Sequence, residues 1–210
     1  MIKRFINLEW KAFTRSASFK VNLALKILMI IGAFFMILYA LGLGVGAYYI
    51  IEEMVDAEPL KIINQFLIFY FVFDLVFKYF LQKMPIVNIK PLLYLPIKKN
   101  QIVSFGINKT MFSFFNIWHA FFFIPFSIVL LIEGHLFLNV LGWHLAMLAL
   151  IYCNNFINIF VNSKDVVFFT VIAVLVTLGA LLYLDIFDIT QFTAPIFAAF
   201  YNQLYLAITP

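Results

Sequence analysis

Long apolar runs alternate with short polar connectors along this chain, and the spacing of the connectors predicts its elements. A helix needs about twenty apolar residues to cross ~30 Å of hydrocarbon. Five such runs recur, over about 21–51, 62–81, 111–132, 136–160 and 166–184. A sixth apolar stretch, 189–209, carries Gln191, Pro195, Asn202 and Gln203 and reads either as a further span or as a re-entrant segment that dips in and returns. The connectors are an acidic turn (Glu52, Glu53, Asp56, Glu58, Pro59), a long basic stretch over 82–110, the tight turn Glu133-Gly134-His135, the polar group at 162–165, and the pair Asp185 and Asp188. The expected fold is an all-α polytopic transmembrane helical bundle of five to six spans, forming a single domain over 1–210.

Ahead of the first span, Ile2, Phe5, Ile6, Trp10 and Phe13 recur at helical spacing among Lys3, Arg4, Lys11, Arg15 and Lys20. Residues 1–20 therefore read as an amphipathic helix in the headgroup layer, or as a basic flank that orients the first span. No uninterrupted apolar centre marks them as a cleavable signal peptide.

Composition agrees with this pattern. With 65% hydrophobic and 11% charged residues and 28 Phe among 210, no water-soluble core could hide the apolar surface, so the expected solvent is a lipid bilayer. The net charge of +4 does not point to nucleic acid, because the cations alternate with spans and form no single soluble patch. With the N-terminus in the cytoplasm, all of the 14 Lys and Arg except Lys61 fall on or near the cytoplasmic side, and the opposite connectors collect acids. Cys153 lies alone inside an apolar run and suggests neither a disulfide nor a metal site.

Polar residues inside the spans are the candidates for function. Asp74 falls within the second run with Lys78 one turn later. An i, i+4 pair of opposite charge can close on itself near the interface, or it can line a pathway or meet another helix. Asn154, Asn158 and Asn162 form a stripe at steps of four, with Asn155 beside them, and Ser113, Asn116 and His119 make a shorter one. Such stripes glue helices by hydrogen bonds or line a wet cleft. Gly42 and Gly46 form a GxxxG pair around Gly44, a pattern that lets helix backbones approach closely.

Catalytic motifs are poorly represented. Glu52-Glu53 and His135-x-x-x-Asn139 resemble parts of a CPBP-type intramembrane protease site, but position 57 is Ala where that motif has Arg. His119, His135 and His144 lack the spacing and companions of a metal site. No Gly-x-x-x-x-Gly-Lys-Ser/Thr phosphate loop occurs, so the chain is expected to bind no cofactor, to carry no catalytic residue, and to leave any ATP-driven work to a separate polypeptide.

The connector Lys90-Pro-Leu-Leu-Tyr-Leu-Pro-Ile-Lys-Lys99 combines an apolar patch (Leu92, Leu93, Tyr94, Leu95, Ile97) with prolines (Pro91, Pro96) and a cationic edge (Lys90, Lys98, Lys99). It reads as a docking surface or as a loop held against headgroups by its lysines, and the run after Pro96 as a short helix leading into the third span. Together with Phe5-x-x-Leu-Glu-Trp-Lys-x-Phe-Thr-Arg-Ser-Ala-Ser-Phe19 and the lysine-bearing first span, this loop resembles a Bacteroidota membrane family classed with ABC-2 type transporter permeases. The resemblance implies a bacterial inner-membrane permease subunit with an interfacial N-terminal helix and a cytoplasmic helix between spans two and three that contacts a separate ABC ATPase. Members of that family are longer, with a second membrane half, so a further half or a homodimer partner is also implied. The alternative is a non-transporting membrane scaffold or assembly protein, whose basic loop would bind lipid or an assembly partner.

Overall fold

The computed structural model of the chain describes residues 23–82, 98–161 and 164–203, together with Asn7, Lys11, Thr14 and Arg15. Residues 1–41 and 42–210 form two compact units. The helices are α1 (Leu23–Val55), α2 (Pro59–Leu81), α3 (Lys99–Met111), α4 (Phe114–Ile117), α5 (Ala120–Ile132), α6 (Phe137–Val161), α7 (Asp165–Tyr183) and α8 (Thr190–Asn202). Among the described residues there is no strand. Five segments, Ile27–Val55, Pro59–Leu81, Phe114–Ile132, Phe137–Val161 and Asp165–Tyr183, are long and apolar enough to cross a membrane, which makes this a multi-pass membrane protein of all-α type.

In the first unit, the early part of α1 exposes Leu28, Ile30, Phe34, Phe35 and Tyr39, a surface suited to acyl chains. Of the basic segment before it, only one turn is described, where the Arg15 N–H donates to the Lys11 carbonyl at 3.2 Å. The expected interfacial helix otherwise lies outside the described residues.

The second unit is built around α2, α6 and α8, which pack on one another, with α5 laid against α6. Its core joins Phe123, Phe126 and Leu130 of α5 to Trp143, Met147 and Ile151 of α6. Between membrane helices such packing replaces lipid contacts, so close fit and hydrogen bonds hold the bundle together. Trp143 shows both: its ring is fully buried, and its Nε1–H donates to Asn64 Oδ1 of α2 at 2.9 Å.

Gly134 makes the turn between α5 and α6. Its φ of +89° is open to glycine, and the His135 N–H closes back on the Leu130 carbonyl at 3.0 Å, ending α5 with a six-residue cap. Where α1 meets α5, the glycine that matters is Gly44. A Cβ there would stand 2.5 Å from the Phe122 carbonyl oxygen and 3.1 Å from Pro125 Cβ, whereas Gly42 has nothing within 4 Å and Gly46 meets only Ile50 of its own helix. This corrects the GxxxG expectation: the close approach is made by the glycine between the pair.

The third run also departs from one continuous helix over 111–132. The chain breaks at Phe112, makes the single turn α4, and resumes at Ala120. The Asn116 Nδ2 explains the break, since it donates to the Thr110 and Met111 carbonyls at 2.9 and 3.2 Å and so takes up the open end of α3.

Side-chain contacts mark the two ends of this unit. At one, Tyr49 Oη donates to Glu133 at 2.9 Å and His135 Nδ1 pairs with Tyr201 Oη at 2.6 Å. At the other, the Tyr79 Oη donates to Asp165 at 2.5 Å, and the Tyr79 ring stacks on Phe168, the one buried residue of α7. α8 has 13 residues, about 20 Å at 1.5 Å per residue, which is shorter than the ~30 Å hydrocarbon core. Residues 204–210 of the expected sixth span or re-entrant segment lie outside the described residues.

Candidate functional site

Tyr70, Asp74, Lys78 and Gln82 follow one another at steps of four, which keeps them on one face of α2 with a drift of about 40° per step. That face meets α6 and the broken segment between α3 and α5. Asp74 is 7% exposed and Lys78 is fully buried. Their ion pair is closed at 2.7 Å, and Lys78 Nζ also donates to the Ile151 carbonyl of α6 at 3.3 Å. The i, i+4 pair therefore forms, and it does so inside a junction of three helices, where neither charge reaches water by itself.

Three donors converge on the Asp74 carboxylate. Lys78 Nζ and Asn154 Nδ2, the latter at 2.6 Å, reach Oδ2, and His119 Nε2 reaches Oδ1 at 3.0 Å. The far nitrogen of His119, Nδ1, is paired with the Tyr70 hydroxyl. A neutral imidazole with its proton on Nε2 satisfies every partner, donating to Asp74 and accepting from Tyr70. Net charge then sums to zero, which is how a membrane interior tolerates an ionised acid. Chemically the arrangement is a hydrogen-bonded chain, Tyr70 to His119 to Asp74, closed by one fixed cation.

A second, uncharged cluster continues from it. Gln82 Nε2 donates to Asn155 Oδ1 at 3.0 Å and to Ser113 Oγ at 3.3 Å, while Asn158 Nδ2 donates to Gln82 Oε1 at 3.2 Å. Asn155 Nδ2 donates to Thr110 Oγ1 at 3.1 Å, and that hydroxyl in turn donates to the Ile107 carbonyl at 2.8 Å. Thr110, Ile102 and Gly106 are the buried face of α3, so this polar helix is seated on the bundle by hydrogen bonds that lead to the foot of α2. Its other face exposes Lys98, Lys99, Asn100, Gln101, Ser104 and Asn108. Two acceptors in the region, Asn116 Oδ1 and Asn158 Oδ1, are buried without a partner.

The structure thus brings Asp74, Lys78, His119 and Asn154 into one network and Asn158 into the adjoining amide cluster, while Asn116 caps α3. Ser113, Asn116 and His119 do not form a helical stripe: only Asn116 lies within α4, with Ser113 ahead of that turn and His119 after it, and each has a different partner. Asn162 lies outside the described residues, as do Lys90, Leu92, Leu93, Tyr94, Leu95, Pro96 and Ile97 of the expected docking loop; Lys98 and Lys99 open α3. Asn155, which the sequence sets beside the asparagine stripe, belongs to this cluster, while Tyr70, Gln82 and Thr110 carry no mark in the apolar pattern, although steps of four link Tyr70 and Gln82 to Asp74 and Lys78. Of the residues shared with the protease motif, His135 is engaged by Tyr201, and Glu52 and Glu53 are exposed. Among the described residues no group of three or more His, Cys, Asp and Glu is placed to hold a metal ion.

The seat of α3 makes a direct prediction. Thr110→Val and Asn155→Leu each leave a buried partner unsatisfied and are each expected to cost about 1–3 kcal/mol, whereas the double variant costs less than their sum. Thermal unfolding of the four proteins in detergent checks it; strict additivity would mean that the two side chains do not meet.

No curated protein and no solved structure matches this chain. Residues 9–210, nearly the whole sequence, match one family, and the chain accordingly belongs to DUF5687, a family of unknown function.

Proposed function

We propose that this protein is the transmembrane subunit, or half-subunit, of an ABC-type exporter in a bacterial inner membrane, with α3 as the element that receives motion from a separate ATPase. The observation that carries the reading is the seat of α3. A polar helix with cations at its start sits between the second and third spans, and Thr110 ties it through Asn155 and Gln82 to the helix that bears Asp74 and Lys78. A push on the outer face of α3 reaches the intramembrane charges through two amides and one hydroxyl. The resemblance to ABC-2 type permeases implies an ATPase contact between the second and third spans, and α3 is the element proposed for it. The cationic asymmetry supports a cytoplasmic N-terminus and a cytoplasmic α3.

In this reading the charge network is the two-state element. ATP-driven closure of the partner subunits shifts α3, the amide cluster re-pairs, and α2 and α6 tilt relative to each other. The membrane subunit binds no nucleotide itself. The breaks at Phe112 and before Ala120 let α3 move without dragging α5 as one rod.

The test is affinity purification of the tagged chain from its native membrane. A soluble ATPase is expected to co-purify and to be lost when Leu93→Asp is combined with Lys98→Glu and Lys99→Glu. Thr110→Val with Asn155→Leu is expected to retain the ATPase but lose transport-coupled ATP hydrolysis. Retention on anionic liposomes without any ATPase partner would instead identify a membrane scaffold.

A further inference from the structure

A cavity of about 570 Å³ opens between the start of α2 and α8, at the end of the unit that carries Glu133 and His135. That volume lies within the ~300–1,000 Å³ range of small-molecule sites. The lining is mixed: Leu60, Ala194, Pro195 and Ala198 supply apolar surface, and a set of polar side chains stands among them. Glu58, the residue ahead of α2, and Lys61, Asn64 and Gln65 of its first two turns line the cavity beside Leu60. Thr190, Gln191 and Tyr201 face it from α8.

Asn64 makes this a built site. It is only 2% exposed, and the Trp143 indole holds its Oδ1, so its amide NH₂ is the group left to a ligand. Glu58 and Lys61 are exposed at the rim, and neither closes an ion pair among the described residues. Glu58 makes no side-chain cap, so the positive end of the helix dipole of α2 also bears on the cavity. Directly after the lining residues Gln65, Gln191 and Pro195, the side chains of Phe66, Phe192 and Ile196 are exposed.

One cation, one anion and a buried amide donor within two helical turns match a ligand that carries both charges, and the exposed apolar neighbours match a hydrocarbon tail. Lys61 is, in addition, the one cation of the chain outside the basic side, so the positive-inside rule gives no account of it. We propose that this cavity holds a phosphoethanolamine group, its phosphate against Lys61 and the Asn64 NH₂ and its ammonium against Glu58. The group has two sources: a phosphatidylethanolamine of the adjoining leaflet, or a soluble glycerophosphoethanolamine. The inference uses the membrane location of α2 and the position of Lys61 away from the basic connectors, and does not depend on coupling to an ATPase.

Native mass spectrometry of the 210-residue chain in detergent, titrated with phosphatidylethanolamine, phosphatidylglycerol and glycerophosphoethanolamine, tests it. Phosphatidylethanolamine is expected to bind about tenfold more tightly than phosphatidylglycerol, and Lys61→Ala and Glu58→Gln are each expected to weaken it about tenfold. Both side chains are exposed, and an unchanged melting temperature verifies that the variants fold. Binding of the lipid alone supports the headgroup chemistry with the leaflet as source; equal binding of the soluble compound supports the same chemistry with a soluble source. Equal retention of the two lipids, or retention unaffected by both substitutions, would show annular lipid only and overturn the proposal.

Discussion

Asp74→Ala is expected to destabilise the protein by about 3–5 kcal/mol, the largest effect of any single substitution considered. The reason is less the loss of the carboxylate than the state of what remains. Lys78 is fully buried and would keep only the Ile151 carbonyl at 3.3 Å, while His119 and Asn154 would lose the acceptor on which they converge. Removing both charges is a different experiment. In Asp74→Leu with Lys78→Met, apolar groups of similar size fill the junction and no unpaired charge remains. Stability is therefore expected to recover in part, to about 1–3 kcal/mol below the parent protein, the remainder coming from the His119 and Asn154 donors that lose their acceptor. Unfolding followed in detergent by tryptophan fluorescence distinguishes the two. If Asp74→Ala alone melted with the parent protein, Lys78 would have to find water in its absence, and the junction would not be dry.

The second large effect is expected at Gly44. A Cβ 2.5 Å from a backbone carbonyl oxygen cannot be relieved by a rotamer change, because the Phe122 oxygen belongs to the frame of α5. Gly44→Ala therefore has to move one backbone away from the other, at a cost of about 1–3 kcal/mol. Gly42→Ala and Gly46→Ala meet no such obstacle and are expected to be neutral, or to gain up to about 1 kcal/mol from helix propensity. The three variants side by side form an internal control, since all sit within five residues of one helix. A larger loss at Gly42 or Gly46 than at Gly44 would show that α1 is turned differently toward α5.

Much of this architecture is legible in the sequence because the bilayer imposes a single strong rule on it. Apolar runs bounded by Glu52, Glu133 or Asp165 locate the long helices without reference to packing. The Asp74–Lys78 pair and the row of asparagines are legible for the same reason, since a polar side chain in hydrocarbon needs a partner and helical spacing limits where that partner is. What could not be read is whatever depends on which helices touch. Helical spacing puts His119 in a stripe with Asn116, yet it serves Asp74, forty-five positions earlier, because the helix is interrupted between Ile117 and Ala120. The break at Phe112 comes from a side chain, Asn116, that takes backbone carbonyls of the preceding helix, and nothing in a hydropathy pattern registers such a competition. Gly44 was passed over because GxxxG spacing finds glycines that share a face and carries no information on which face a neighbouring helix covers.

The charge network also bears on how the protein is made. The acid and its lysine emerge from the ribosome together, one turn apart, so α2 can enter the translocon as a closed dipole and not as two separate ions. His119 and Asn154, which complete the coordination of that acid, are synthesised 45 and 80 positions after it. At roughly 5–20 residues per second, the half-satisfied helix waits seconds for them in the bilayer. Membrane insertion and final assembly of this bundle are thereby separated in time, and α6 is the helix whose arrival ends the wait.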